Sequence, residues 1–333
     1  MVDRQLLPGN VKMKKRNYQK DTNNFFEDES SFEKARGARM VVYTGICRQE
    51  HTAFSNGFID VAAFETHLAF YKKYFNLISV DDYYSRKFSN NRFNICLTFD
   101  NGLANNYTYA LPLLEKYQAP AAFFITAIRF AGFNVLWNDF LTVFSKSGPG
   151  EIVFKNTVFT KNKHDKYISS ANGRYMCDML KEKRFDDKED MMATLYPLFL
   201  FKEIKELEDV WLQMTTQQIK LLSASRFATI GSHGLYHNDL GNIHLAYARN
   251  ELVVSKRYLE DIIGKKITSL AFPYGSYTKE VVAAAKEAGY TQLLAMDFDN
   301  SEYCDPAIKQ RFVINADTAF NAQMRAVVAA KHD

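Results

Sequence analysis

From Met40 onward the chain alternates two kinds of hydrophobic segment. Short apolar runs, 40-MVVYTGI-46, 93-FNICLTF-99 and 121-AAFFIT-126, show no in–out alternation. Such runs fit strands buried on both faces, as in a parallel sheet. Between them, 61-VAAFETHLAFYKKY-74 and 104-ANNYTYALPLLEKY-117 carry apolar residues at helical spacing, the second with an early bend at Pro112. The rhythm breaks after Trp137. Residues 138 to about 222 predict a hairpin, 150-GEIVFKNTVFTKNK-163, and then charged helical stretches, 174-RYMCDMLKEKRF-185 and 201-FKEIKELEDVWLQM-214. We read this segment as an insertion rather than a separate domain, because composition does not shift sharply across it.

The rhythm then resumes. Strands are predicted at 227-FATIGSH-233, 267-ITSLAFPYG-275, 291-TQLLAM-296 and 311-RFVIN-315. Helices are predicted at 246-AYARNELVVSKRYLEDIIG-264 and 278-TKEVVAAAKEAGY-290, each with a glycine stop, Gly264 and Gly289. A βα repeat of this length closes a barrel, with an open doubly wound sheet as the alternative. Residues 1–38 lack periodic hydrophobics and read as a polar extension; residues 39–333 carry the α/β unit.

Composition narrows the picture only a little. The 333 residues hold 47% hydrophobic and 24% charged side chains, which suits a globular chain with a sizeable core. A net charge of +4 gives no argument for nucleic acid or membrane partners. Cys47, Cys96, Cys177 and Cys304 are scattered without a C-x-x-C pair, so no disulfide framework is expected. The N-terminal stretch lacks an apolar signal region, and no window approaches the ~20 apolar residues of a membrane span. The expectation is a cytoplasmic chain, its oligomeric state open.

Three strand ends carry candidate chemistry: Asp100 with Asn101 in 97-LTFDNG-102, His233 with His237 in 232-SHGLYH-237, and 272-FPYG-275. In parallel α/β folds such positions converge on one face. Two histidines four apart bring two imidazoles together on one helical turn, a spacing that metal sites use. Asp100 alone reads as a turn or cap carboxylate; beside two imidazoles it becomes a candidate base for metal-activated water. The FPYG stretch alone is a turn, whose chemistry would be a backbone N–H aimed at a developing oxyanion.

Taken together and in this order, LTFDNG, SHGLYH and FPYG resemble the polysaccharide deacetylase family (the NodB homology domain, carbohydrate esterase family four), over about Met40 to Arg311. The resemblance implies a distorted (β/α)7 barrel and a divalent metal, usually zinc. It implies hydrolysis of the N-acetyl group of an N-acetylated sugar or oligosaccharide. It places Asp100 as catalytic base, His233, His237 and Asn101 as metal ligands, and the Tyr274 N–H at the oxyanion. Asn101 departs from the family, which has a carboxylate there, so the resemblance also admits a non-catalytic glycan- or partner-binding member. Hydrolysis of another carbon–nitrogen bond, such as a formamide, is a third reading. The arginine that often precedes the third motif is replaced by Leu270, and Arg311 is a candidate to supply its charge. The family's late general-acid histidine has no counterpart except His332-Asp333, which we set aside as coincidence.

Overall fold

The computed structural model describes residues 29–296 and 305–329. Residues 1–28 of the polar extension, Cys304 and His332-Asp333 lie outside the described residues. Seven parallel strands form the barrel: β1 (Ala38–Tyr43), β2 (Asn94–Phe99), β3 (Ala121–Ile125), β4 (Ala228–Ser232), β5 (Ser269–Ala271), β6 (Gln292–Met296) and β7 (Ile308–Val313). β1 pairs with β2 on one side and β7 on the other, which closes the ring. A short strand, Asn76–Ile78, pairs with the first half of β2 while β3 pairs with its second half.

Every residue of β2 and β3 is buried, as their unbroken apolar sequence requires. Met40, Cys96, Ala122, Phe124, Ala271 and Leu294 belong to one core cluster, whereas Val41, Leu97, Phe123, Leu270 and Leu293 pack in another, with the helices. Adjacent strand residues thus serve opposite faces of the wall. The predicted helix at 61–74 is α1 (Val61–Tyr74), capped by Asp60, whose side chain accepts from the Ala62 and Ala63 N–H groups. Gly264 ends the helix Leu245–Ile263 in the left-handed conformation, φ 67°.

Between β3 and β4 the chain builds a second core. It joins Trp137, Phe140 and Phe144 of helix Trp137–Ser147 to Phe185, Met191 and Leu195 of helix Phe185–Leu195. Phe159 and Tyr167, from a three-stranded antiparallel sheet, complete it. Tyr236 and Tyr274 from the barrel's strand-end loops pack against the same core, so this segment covers the C-terminal mouth of the barrel.

Two expectations are corrected here. The stretch 201–214 is not one helix: it breaks into turns at Phe201–Glu203 and Lys205–Leu207 and a single helical turn, Glu208–Trp211. Asp209 explains the break, because its carboxylate is held by Arg48 Nε at 2.9 Å, His51 Nδ1 at 3.2 Å and the Tyr109 hydroxyl at 3.1 Å. Those tertiary contacts fix the turn in a place a continuous helix would not put it. The strand predicted over 267–275 is also shorter, because Pro273 donates no N–H and Tyr274 takes φ 61°. No helix of the described residues is long and apolar enough to cross a membrane.

Candidate active site

Asp100 and His233 each sit one residue beyond a strand end, where the ladder still holds the backbone. The Asp100 N–H donates to Tyr43 O at 3.1 Å, and the His233 N–H donates to Ile125 O at 3.0 Å. Immediately after Asp100 the chain must turn sharply. Asn101 and Gly102 both adopt the left-handed region, φ 74° and 85°. Asn is among the few side chains that tolerate this, and a Cβ at Gly102 would meet Ile125 Cγ2 at 2.8 Å.

The Asp100 carboxylate is 4% exposed and forms a bidentate pair with Arg311, which is fully buried. Arg311 Nη1 donates to Oδ1 at 2.7 Å and Nη2 to Oδ2 at 2.8 Å. Nη1 also donates to the Thr98 hydroxyl at 3.2 Å, and the guanidinium lies 5.4 Å over the Phe124 ring. Arg311 belongs to β7, level with Met40 of β1 and Met296 of β6. The charge expected just before the third motif therefore arrives from the last barrel strand. Its fork fits a carboxylate in a way a lysine cannot.

His233 and His237 are brought together, with ring centroids 5.0 Å apart. Their spacing does not act through a helical turn, however. The segment is a loop in which Gly234 and His237 have φ 75° and 55°. Buried polar contacts impose that shape. Glu251, on helix Leu245–Ile263, accepts from the Leu235 N–H at 3.0 Å and the Tyr236 N–H at 3.1 Å. It also accepts from Asn238 Nδ2 at 2.7 Å, and Asn238 Oδ1 takes a hydrogen bond from Lys188 of the covering segment. The Trp137 indole N–H donates to His237 O at 3.1 Å. None of Glu251, Lys188 or Trp137 was singled out from sequence as a site residue; their only sequence signal was a polar residue, or a tryptophan, on a helical apolar face.

One of the two imidazoles has its tautomer fixed by its partner. His233 Nδ1 is 2.8 Å from Ala271 O, so Nδ1 carries the proton and Nε2 keeps its lone pair. His237 Nδ1 meets the Tyr274 hydroxyl at 3.0 Å. Burial, outweighing the attraction of Asp100, holds His233 below the usual histidine range. Burial, followed by the charges of His233, Lys188 and Lys181, holds His237 well below it. Both rings are thus neutral near pH 7, the form that binds a metal.

Tyr274 was expected to act through its backbone N–H. Its side chain adds a role, since the hydroxyl orients His237 and burial pushes it well above the usual tyrosine range. Among the described residues, no three His, Cys, Asp or Glu side chains come together as a metal-binding group. His233 and His237 offer two neutral imidazoles, and Asn101, next to Asp100 in the chain, offers an uncharged amide in place of a carboxylate. That set fits the nitrogen half of a zinc site, including the outer contacts that orient each ring, and lacks its anionic half.

Comparison with known proteins follows the same lines. The family description "Polysaccharide deacetylase" matches residues 88–141 and 185–293. No curated protein matches the chain. Among solved structures, it is similar to the Streptococcus pyogenes deacetylase PplD in complex with acetate, with TM-score 0.56, 15% identity and coverage of 89% of this chain and 100% of that one. It is similar to a de-N-acetylase from Aggregatibacter actinomycetemcomitans, with TM-score 0.53, 16% identity and coverage of 87% and 99%. IcaB from Ammonifex degensii gives TM-score 0.54 and 15% identity, covering 89% and 98%. At such identities these likenesses establish the barrel alone.

Proposed function

We propose, from the premise that this chain belongs to the polysaccharide deacetylase family as a divergent member, that it removes the N-acetyl group from an N-acetylated sugar of a glycan or glycan precursor. One observation carries this reading. A bidentate Asp100–Arg311 pair and two neutral imidazoles meet at the C-terminal mouth of the barrel. A glycan-binding protein has no evident need for a buried carboxylate aimed in this way.

In this reading His233, His237 and the Asn101 amide oxygen would hold a divalent ion of the zinc class. When bound, that ion supplies Lewis acidity toward the acetyl oxygen. The rest is done by the chain. Asp100 accepts a proton from the attacking water, and Arg311 holds the carboxylate fixed in direction. Tyr274 contributes its N–H to the developing oxyanion, while its hydroxyl holds His237 in place. The covering segment shields these groups from bulk water, which strengthens each electrostatic contact.

The neutral Asn101 favours a second reading, a non-catalytic glycan-binding member of the same fold. One experiment separates the two. Acetate release from N-acetylglucosamine oligomers is measured with added zinc for the parent, Asn101→Asp and Asp100→Asn. The deacetylase reading expects release by the parent, faster release by Asn101→Asp, and a loss of roughly 10²–10⁴-fold in Asp100→Asn. No release from the parent or from Asn101→Asp would establish the binding reading.

A further inference from the structure

We propose that Asp139 is the proton donor to the departing sugar nitrogen, the role for which the sequence offers no histidine. The inference rests on the deacetylase reading above.

Asp139 lies in the first turn of helix Trp137–Ser147, two residues after Trp137, whose indole touches the site. Trp137 donates its indole N–H to His237 O at 3.1 Å, and its ring centroid is 6.5 Å from that of Tyr274. Asp139 is close enough for its charge to weigh on the Tyr274 hydroxyl, which itself sits 3.0 Å from His237 Nδ1. Other titratable groups surround the same tyrosine. Cys177 and Asp239 act on its hydroxyl, and Lys181 Nζ lies 5.0 Å from its ring centroid.

The carboxyl is 9% exposed, and its Oδ2 has no hydrogen-bond partner. Oδ1 accepts one bond, from Asn138 Nδ2 at 3.0 Å. An aspartate at this helix position usually serves the free N–H groups of the first turn. Here the cap residue is Leu136, with no side-chain cap bond. A structural role would use the free oxygen, and this structure leaves it orphaned at a cost that a reaction partner would relieve. Burial raises the carboxyl to about 8, so at neutral pH it carries a proton.

The chemistry balances with one more carboxyl and one water. Water adds its oxygen to the acetyl carbon and gives a proton to Asp100. The C–N bond breaks, its electron pair stays on nitrogen, and the nitrogen takes the proton from Asp139. Acetic acid and a free amine leave, and in solution the acid passes its remaining proton to the amine, giving acetate and an ammonium. Asp100 returns its proton to solvent, and Asp139 takes one from solvent.

The test compares two substrates that differ in their need for an acid. N-acetylglucosamine oligomers must lose an amine, whereas 4-nitrophenyl acetate loses a phenolate that needs no proton. Asp139→Asn should lower kcat on the oligomers by roughly 10²–10⁴-fold with KM retained. Its loss on the ester should be at least about ten-fold smaller, and Asp139→Glu should recover part of the amide rate. The infrared spectrum of the parent at pH 7 should show a protonated-carboxyl band that Asp139→Asn lacks. An equal loss on both substrates, a change confined to KM, or absence of that band would overturn the proposal. A variant that keeps the parent kcat on the oligomers overturns the proton-donor role and leaves the deacetylase reading standing. A parent that splits neither substrate overturns the deacetylase reading and this role with it.

Discussion

Replacing Asp139 by asparagine should change how stability depends on pH, independently of catalysis. The substitution keeps side-chain shape, and its amide oxygen can still accept from Asn138 Nδ2. It removes the only titrating atom pair. In the folded chain burial raises this carboxyl to about 8, against an ordinary value of 3.8. Between those values the folded chain binds the proton and the unfolded chain does not, so stability must fall as pH rises. The contribution is fully present below about pH 4 and is lost by the time pH passes about 8. At about 1.4 kcal/mol per pKa unit, a shift of this size sets a ceiling of roughly 5–6 kcal/mol. Local relaxation and water entry lower the penalty for real buried groups, and about 2–4 kcal/mol is a sounder expectation. Urea unfolding of parent and variant at pH 5, 7 and 9 measures it. The variant should gain on the parent steadily across this range and be the more stable at pH 9. Parallel stability curves would show that Asp139 titrates as an exposed carboxyl, and the reasoning about its buried oxygen would fail.

Three other outcomes follow from the same geometry. Arg311→Met leaves the buried Asp100 carboxylate without its partner and should cost roughly 3–5 kcal/mol in chemical unfolding, with part recovered in the Asp100→Asn/Arg311→Met double variant. A cost below about 1 kcal/mol would mean that Asp100 is solvated in the folded chain. Asn101→Asp should tighten zinc binding, read by calorimetric titration, by ~1–3 kcal/mol; equal or weaker binding would remove Asn101 from the ligand set. Glu251→Ala frees two backbone N–H groups and Asn238 at once, so it should lower zinc affinity as well as stability, whereas a merely structural glutamate would move stability alone.

The barrel was readable because its strands are buried on both faces, which leaves a continuous apolar run such as 94-NICLTF-99. The covering segment was harder. Helix Trp137–Ser147 has Trp137, Phe140, Leu141 and Phe144 at i, i+3, i+4 and i+7, all buried, yet a rhythm break placed at Trp137 obscured it. The helical pattern over 201–214 was real and still did not form a helix, because the Asp209 contacts to Arg48, His51 and Tyr109 outweigh local preference. At the site, motif order marked Asp100, Asn101, His233, His237 and Tyr274. It did not mark Glu251 or Lys188, whose partners lie 13 to 50 residues away in sequence. Spacing also suggested the wrong local geometry for the histidines. Four residues apart fits a helix, but a loop with the same ends needs buried acceptors to hold it, and those come from another element.

The Asp100–Arg311 pair also bears on the neutral residue beside it. With asparagine at position 101, one remedy for the missing charge would be for Asp100 to swing toward the ion and act as ligand itself. Both its oxygens are held in the plane of a guanidinium that is fully buried and bonded to Thr98 as well. Leaving that fork would strand an arginine charge inside the barrel, at a cost of several kcal/mol. A neutral-to-anionic ligand change is worth only ~1–3 kcal/mol, so the swing is unfavourable. Asp100 therefore stays with Arg311, and in the proposed site the charge of the donor set would depend on residue 101 alone. In the proposed mechanism the lock that aims Asp100 as base would also keep it from the ion, so metal affinity and proton transfer should respond to separate substitutions at residues 101 and 100.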